Sequence, residues 1–215
     1  MYSVIITAGG TSSRFGNSNK LLEVVNGKTV LEHTVNAFSA LDIDEIIICS
    51  NQTIMSDVKK IFENNRKVII VEGGNTRQAS VYNGLQIVKN DYVLIHDGAR
   101  PIISPTIIQT TMDYVLAKKA VSVMTKTVDT IKEVQPDGRI VRTIDRSKLY
   151  NTQTPQAFET KLIKKIHEKY KGKNFTDDAG MVEAAGKPVY MVVGDYRNIK
   201  ITTQSDMAIA KIYLG

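Results

Sequence analysis

"YSVIITAGGTSSRFGNSNK", Tyr2 to Lys20, decides how the rest of the chain is read. Its β-branched start followed at once by Gly9 and Gly10 is the pattern of a buried strand that runs into a tight loop. Glycine permits positive φ and close approach of the backbone, so such a loop can bring N–H groups up to phosphate oxygens. Two familiar phosphate loops do not fit. The stretch lacks the Gly-Lys-Ser/Thr ending of a P-loop, and it lacks the G-x-G-x-x-G dinucleotide fingerprint, which also disfavours a nicotinamide oxidoreductase. What remains is a glycine turn paired with two cations, Arg14 and Lys20.

Working outward, short apolar runs alternate with amphipathic segments, which predicts an α/β fold: a mostly parallel central sheet between helical layers. Strands are expected at about 2–7, 45–49, 67–71, 91–96 and 120–125, with boundaries good to ~2–4 residues. "TVLEHTVNAFSAL" (29–41) sets Val30, Leu31, Val35, Phe38 and Leu41 on one stripe, and "TIIQTTMDYVLAKK" (106–119) does so with Ile107, Ile108, Met112, Val115 and Leu116. Both stripes read as core. Near residue 126 the rhythm breaks: "TKTVDTIKEV", "QPDG" and "RIVRTIDR" read as a hairpin outside the β-α alternation, projecting from the sheet. Beyond it, helices are expected at about 159–169 and 177–186, then the strand "PVYMVVG" and a closing helix capped by Ser205. The polar run "DRSKLYNTQTPQAF", with Arg146, Thr154, Pro155 and Gln156, is denser than a mere connection between hairpin and helix needs, although Pro155 alone would explain a helix start. No repeat or linker divides the 215 residues, so a single domain over 1–215 is expected, with the hairpin inserted at about 127–146.

Composition narrows the class. With 42% hydrophobic and 23% charged residues the chain reads as soluble and globular. It has no apolar run of about 18 residues that would span a membrane, and no basic, apolar leader at its start. Its one cysteine, Cys49 in "EIIICS", fits a small buried residue in a reducing compartment, and a cytoplasmic protein is expected. The net charge of +6 raises nucleic acid as a partner. The lysines, however, are scattered over helix-like segments, whereas Arg14, Arg77, Arg100 and Arg146 sit in turns, a placement that suits small phosphorylated ligands better.

Ligands of an open parallel sheet bind beyond the carboxyl ends of its strands. Three loops fall there: "AGGTSSR" after the first strand, "EGGNTRQAS" after the third and "HDGARP" after the fourth. In "EGGNTRQAS" a tight turn at Gly73 and Gly74 precedes a helix whose first turn carries Arg77 and Ser80, with Asn75 or Thr76 as cap. A capped helix start explains these residues as well as a ligand-contacting turn does. Asp97 and Arg100 suit a metal or a sugar hydroxyl, and equally a loop staple. His96 reads as a packed histidine, and Lys200 alone as a solvated lysine. With three histidines and no metal-ligand spacing, Ser-His or Cys-His chemistry is disfavoured. A rim rich in positive charge suits phosphoryl or nucleotidyl transfer, where positioning and charge stabilisation do most of the catalytic work. A non-catalytic nucleotide-binding regulator would keep the glycine turns but would not need Arg14, Lys20, Arg146 and Lys200 together.

"AGGTSSRFG", Lys20, "GGNTRQAS", "HDGARP", "TVDTIK", "DRSKLYNTQTPQAF", "TDDAGMVEAAG" and "GDYRNIKITT" occur in one order and at close to one spacing. Together, over about residues 3–212, they resemble the 2-C-methyl-D-erythritol 4-phosphate cytidylyltransferases of non-mevalonate isoprenoid biosynthesis; "TQTPQAF" with "NIKITT" is the most specific part. The resemblance implies a Rossmann-like three-layer nucleotidyltransferase fold. It also implies that CTP and methylerythritol phosphate give a CDP-alcohol and pyrophosphate, with Mg²⁺ held mainly by the CTP phosphates and Asp97 as a further ligand. Polyol-phosphate enzymes share this framework, so ribitol 5-phosphate is the alternative acceptor.

Carried onto this chain, Arg14 and Lys20 match the catalytic pair, while Ala8, Gly9 and Gly10 match the triphosphate cradle. Gly74, Asn75, Arg77, Ser80 and Gly98 fall in the nucleotide-binding part, and Asp97 and Arg100 fall where ribose and substrate bind. Arg146, Lys200, Thr130 and Thr154 match the substrate-positioning set. The hairpin matches an arm that embraces a second subunit, implying a homodimer in which Thr130 and Arg146 serve the partner's site. The chain departs from the family at Asn19-Lys20-Leu21, usually Pro-Lys-Gln, where the segment from Gly16 is one residue shorter. Gly98 stands where alanine is common, a change expected to matter little.

Overall fold

The computed structural model describes residues 1–10, 15 and 19–215. Its strands are β1 (Tyr2–Ala8), β2 (Val24–Val25), β3 (Lys28–Thr29), β4 (Glu45–Ser50), β5 (Val68–Glu72), β6 (Tyr92–Asp97), β7 (Ala120–Lys126), β8 (Ile131–Val134), β9 (Ile140–Ile144), β10 (Tyr150–Glu159) and β11 (Tyr190–Val193). Its α-helices are α1 (Val30–Ser39), α2 (Met55–Ile61), α3 (Arg77–Ile87), α4 (Pro105–Lys118), α5 (Thr160–Lys169), α6 (Asp178–Ala184) and α7 (Gln204–Leu214).

Seven strands form one sheet in the order β11-β7-β10-β6-β1-β4-β5, parallel except for β10, which runs antiparallel to both its neighbours. β1 lies between β6, the central strand, and β4, with Ile5 opposite Ile47 of β4 and Ile95 of β6. Side chains alternate across a strand, so one run of isoleucines feeds two cores. Val4, Ile6, Ile46 and Ile48 pack with Leu31, Val35 and Phe38 of α1, Met112 and Val115 of α4, and Met207 of α7. Ile5, Ile47, Val93 and Ile95 pack on the opposite face with Val81 and Leu85 of α3, Ile163 and Ile166 of α5, and Met181 of α6. The three-layer α/β architecture expected from the alternation is therefore present.

Local chemistry sets the helix starts. Thr29 and Glu32 form a capping box at α1, and Ser104 caps α4 with Pro105 in its first turn. α7 is capped by Thr203, with Asp206 completing the box, two residues earlier than the Ser205 cap expected. The stripe of α4 is also narrower than its periodicity suggested: Leu116 is 52% exposed, because α4 covers the sheet with only one side of its surface.

The larger correction is β10. "YNTQTPQAFE" is neither a polar connection nor a helix start at Pro155 but a ten-residue strand between β7 and β6, and α5 spans Thr160–Lys169, where a helix was expected at about 159–169. Proline normally argues against a central strand. Here Pro155 falls within the shift of register against β7 between Thr152 and Gln156, where the ladder makes no demand on its missing N–H. The strand's buried polar residues, Gln153, Thr154 and Gln156, are hydrogen-bonded. Gln156 donates to Ser122 Oγ and Asp177 Oδ2 and accepts from the N–H groups of Asp178 and Ala179.

The expected hairpin is the two-stranded ribbon β8–β9, which stands apart from the main sheet. Its residues are almost all exposed, and Val128, Ile131, Val134, Ile140 and Val141 are exposed large apolar side chains on or beside it. Cys49 is fully buried against α3, and burial pushes its thiol up to about 12, so it stays a protonated core residue.

Candidate active site

The carboxyl ends of β1, β5 and β6 open onto one cavity of about 300 Å³ lined by Thr7, Gly9, Gly10, Lys20, Leu21, Gly74, Asn75, Thr76, Arg77, Ser80, Asp97, Gly98, Ala99 and Lys200. The three rim loops thus meet. Ser80, on the first turn of α3, is the pin between two of them. Its hydroxyl accepts from the Gly74 N–H at 3.0 Å, and a Cβ at Gly9 or Gly73 would lie 3.1 or 3.0 Å from that oxygen. Gly74 is more tightly constrained: a Cβ there would come within 2.4 Å of Ala79 Cβ, so only glycine lets the turn fold onto the helix start that Thr76 caps.

Gly98 departs from expectation. A Cβ there would lie 2.9 Å from the Thr7 carbonyl oxygen and 3.3 Å from Leu31 Cδ1, so alanine is not a neutral replacement on this backbone. Ala8 is buried at the end of β1 and does not line the cavity, whereas Gly9 and Gly10 do. Lys20 stands on the cavity wall despite the shortened segment before it. Arg14 lies outside the described residues.

A second cavity of about 410 Å³ adjoins the first and shares Arg77, Asp97 and Lys200 with it. Arg100, Thr152, Gln153, Thr154, Gln156 and Asp177 are among its other walls. Thr130 and Arg146 line neither cavity; both are exposed near or on the ribbon, with Arg146 donating to the Val128 carbonyl.

Asp97 is the hinge of this arrangement. Its Oδ1 accepts from Arg77 Nε at 3.1 Å, and its Oδ2 lies 2.9 Å from Lys200 Nζ and 3.5 Å from Arg100 Nε. Burial alone would raise its pKa, but Arg77, then Lys200 and Arg100, hold the carboxyl far below the usual carboxylate range. Burial lowers the Arg100 guanidinium from its ordinary value, with Asp97 opposing; Arg77 is driven the other way, its burial outweighed by Asp178 and Asp97. Lys200 is no lone solvated lysine. Buried Asn198 donates to Gln153 Oε1 and the Thr154 carbonyl, Gln153 donates to the Asp195 carbonyl, and the Ile201 N–H bonds the Ala99 carbonyl, so β10 staples the Lys200 loop over the site.

Thr154 Oγ accepts from the Asp97 N–H at 3.1 Å and lies 3.0 Å from His96 Nδ1, while His96 Nε2 lies 3.1 Å from the Arg100 carbonyl. A neutral imidazole protonated at Nε2 satisfies every partner, which commits the Thr154 proton to His96 and makes Thr154 a support for Asp97. Burial lowers His96 to about 4. Its unfolded-state value of ~6.5 is higher, so between these values the unfolded chain takes up a proton that the folded chain refuses. Going from pH 7.5 to 5 should therefore lose about 2 kcal/mol through His96. Asp97, depressed far below ~3.9, loses none of its contribution in that window. Urea midpoints should fall steadily across this range; a flat or rising midpoint would contradict the buried neutral imidazole.

Among the described residues no cluster of His, Cys, Asp and Glu could by itself hold a metal. Asp97 is the one acid on the first cavity's wall, and each of its oxygens already faces a cation. That donor set fits a divalent ion carried mostly by phosphate oxygens and water.

Glycine turns that can cradle phosphates, with a cation cluster where two cavities join, place the molecule in the class of α/β nucleotidyltransferases. The family model for 2-C-methyl-D-erythritol 4-phosphate cytidylyltransferase matches residues 2–215. Relatives of that name from Caldanaerobacter subterraneus subsp. tengcongensis and Clostridioides difficile are 40% and 41% identical, over 99% and 100% of this chain and 98% and 94% of theirs. The crystal structure of 4-diphosphocytidyl-2C-methyl-D-erythritol synthase from Anaerococcus prevotii superposes with a TM-score of 0.88 at 37% identity, covering 99% of this chain and 95% of that one. The chain belongs to the 2-C-methyl-D-erythritol 4-phosphate cytidylyltransferase family.

Proposed function

We propose that the two cavities hold the two substrates of cytidylyl transfer: CTP in the glycine-lined one, methylerythritol phosphate in the polar one. The observation that carries this reading is that the cavities share Arg77, Asp97 and Lys200, so donor and acceptor meet at one cluster of two cations and a carboxylate. Gly9 and Gly10 present backbone N–H groups to the triphosphate, and the Gly74–Asn75 turn pinned by Ser80 forms the slot for cytosine.

An oxygen of the acceptor phosphate attacks the α-phosphorus in line, the bond to the β-phosphate breaks, and pyrophosphate leaves. The attacking monoester, with a second pKa of ~6, is already mostly dianionic at neutral pH and needs no general base. The barrier is electrostatic, an anion approaching a polyanion, and Arg14 and Lys20 offset the charge on phosphorus and leaving group. Lys200 and Arg100 orient the acceptor. Mg²⁺ on the triphosphate would supply further charge neutralisation, with Asp97 the only acid among the described residues that line the nucleotide cavity.

The exposed ribbon with its apolar side chains supports a homodimer, because an isolated two-stranded hairpin is marginal in water and gains by packing on a second surface. In that dimer Thr130 and Arg146 serve the partner's acceptor cavity. Among the described residues no helix is long and apolar enough to cross a membrane, and we place the enzyme in the cytoplasm.

Pyrophosphate release tests the reading. Mixed with CTP and Mg²⁺, the protein should release it with methylerythritol 4-phosphate and remain near background with ribitol 5-phosphate. Background release with the first, while a known cytidylyltransferase turns over in parallel, would count against it. Arg146→Ala should raise KM for the alcohol phosphate about ten-fold or more, as expected for a lost charge-assisted contact of ~1.5–3 kcal/mol. An effect confined to the KM for CTP would refute the role given to Arg146.

A further inference from the structure

Asp178, the first residue of α6, lines neither cavity, yet it is the second carboxylate that holds Arg77. Arg77 Nη1 donates to Asp178 Oδ2 at 2.7 Å while its Nε donates to Asp97 Oδ1 at 3.1 Å. The remaining nitrogen, Nη2, has no hydrogen-bond partner among the described residues, so these two carboxylates alone set where the guanidinium sits. Asp178 is itself fixed. Its side chain is 1% exposed, its Oδ1 accepts the Nε2–H of equally buried His167 at 2.9 Å, and its own N–H donates to Gln156 Oε1 at 3.1 Å. Each carboxylate oxygen therefore has one placed donor, and rotating the group breaks a buried charge-assisted bond.

We propose that Asp178, anchored by His167, is a positioning residue for the transfer reaction: it divides Arg77 between two carboxylates and so leaves Asp97 Oδ2 to Lys200. The inference rests on the reading of Arg77, Asp97 and Lys200 as the junction of the two substrate cavities. With Asp178 present, two carboxylates face three cations, Arg77, Arg100 and Lys200. Without its charge, Asp97 is the only acid among the described residues left to the Arg77 fork, which engages a carboxylate best through two parallel bonds. That second bond takes the oxygen now held by Lys200. Lys200 is then displaced from the place where it meets the acceptor phosphate, and a displacement of about 1 Å in such a group can cost ~10²-fold in rate.

Asp178→Asn keeps the volume and removes the charge. It is expected to lower kcat at least ten-fold and to raise KM for methylerythritol phosphate, with Asp178→Glu recovering part of the loss. His167→Leu, which leaves both carboxylates in place, should move the same two parameters by a smaller factor, and His167→Gln, which keeps an N–H donor, should restore them. A merely structural role would lower the melting temperature and the folded fraction while leaving kcat per folded molecule and KM untouched. That result for Asp178→Asn overturns the inference, as does wild-type kinetics in His167→Leu should Asp178→Asn fail to fold. If the wild-type protein itself showed no turnover, the functional reading would fall first; normal wild-type turnover beside unaffected variants removes only the role of Asp178.

Discussion

Asp97→Asn should lower folding stability by about 3–5 kcal/mol, the usual consequence of removing one partner from a buried ionic cluster. Asparagine occupies the same space, so packing is retained and the loss is one of charge. Arg100 is mostly buried, Arg77 is three-quarters buried, and Lys200 lies 2.9 Å from the lost oxygen, so three cations would face one another across the end of β6 with Asp178 the sole remaining counter-charge among the described residues. Activity should drop by about 10²-fold in whatever fraction folds, because the groups at the junction of the cavities lose their common reference. Urea unfolding at pH 7.5 measures the first effect and turnover per folded molecule the second. An unchanged urea midpoint would mean that the cluster is solvated rather than structural.

Arg14→Ala should lower kcat by a factor on the order of 10²–10³ with a smaller effect on either KM, the range for losing one preorganised stabiliser of developing charge. The expectation comes from the loop's place after β1 and from the family's pattern, since Arg14 lies outside the described residues. The neighbouring cation Lys20 lines the cavity on the same loop and offers partial compensation, which is why total loss is not expected. A rise confined to the KM for CTP would show that Arg14 grips the ground-state triphosphate instead of the charge formed during transfer.

Most of the fold was legible because it rests on patterns of period 2 and 3.6. The runs at Val4–Ile6 and Ile46–Ile48 announce strands buried on both faces, and the glycines after β1 and β5 announce where those strands stop. The ribbon was legible from its break in rhythm and its Pro136–Gly138 turn. β10 was not, because its burial depends on hydrogen bonds rather than on apolar side chains. Gln156 is fully buried only because Ser122, Asp177 and the start of α6 surround it, and those partners lie 21 or more residues away along the chain.

The site divides along the same line. Much of the first cavity's wall sits on rim loops whose glycines mark them, and Gly9, Gly10, Gly74, Asn75, Ser80, Asp97 and Lys200 are brought together there. The residues that hold those groups in place carry no local mark. Arg77 reaches Asp178 across 101 positions, and Asn198 reaches Gln153 across 45. A helix-capping reading of "TDDAG" accounts for Asp177 and offers nothing for its neighbour. Thr154 does both: the motif marks it as a substrate contact and it lines the second cavity, while its hydroxyl also bonds His96 and the Asp97 backbone.

In the proposed reaction one junction of two cavities joins CTP to a polyol phosphate. Phosphorus NMR of the protein with CTP, Mg²⁺ and methylerythritol 4-phosphate tests it most directly, since the same spectrum follows both substrates and both products. The CTP and monoester signals should fall together while a diphosphodiester and free pyrophosphate rise in equal amounts. Conversion of CTP to CMP with the alcohol phosphate untouched would contradict it.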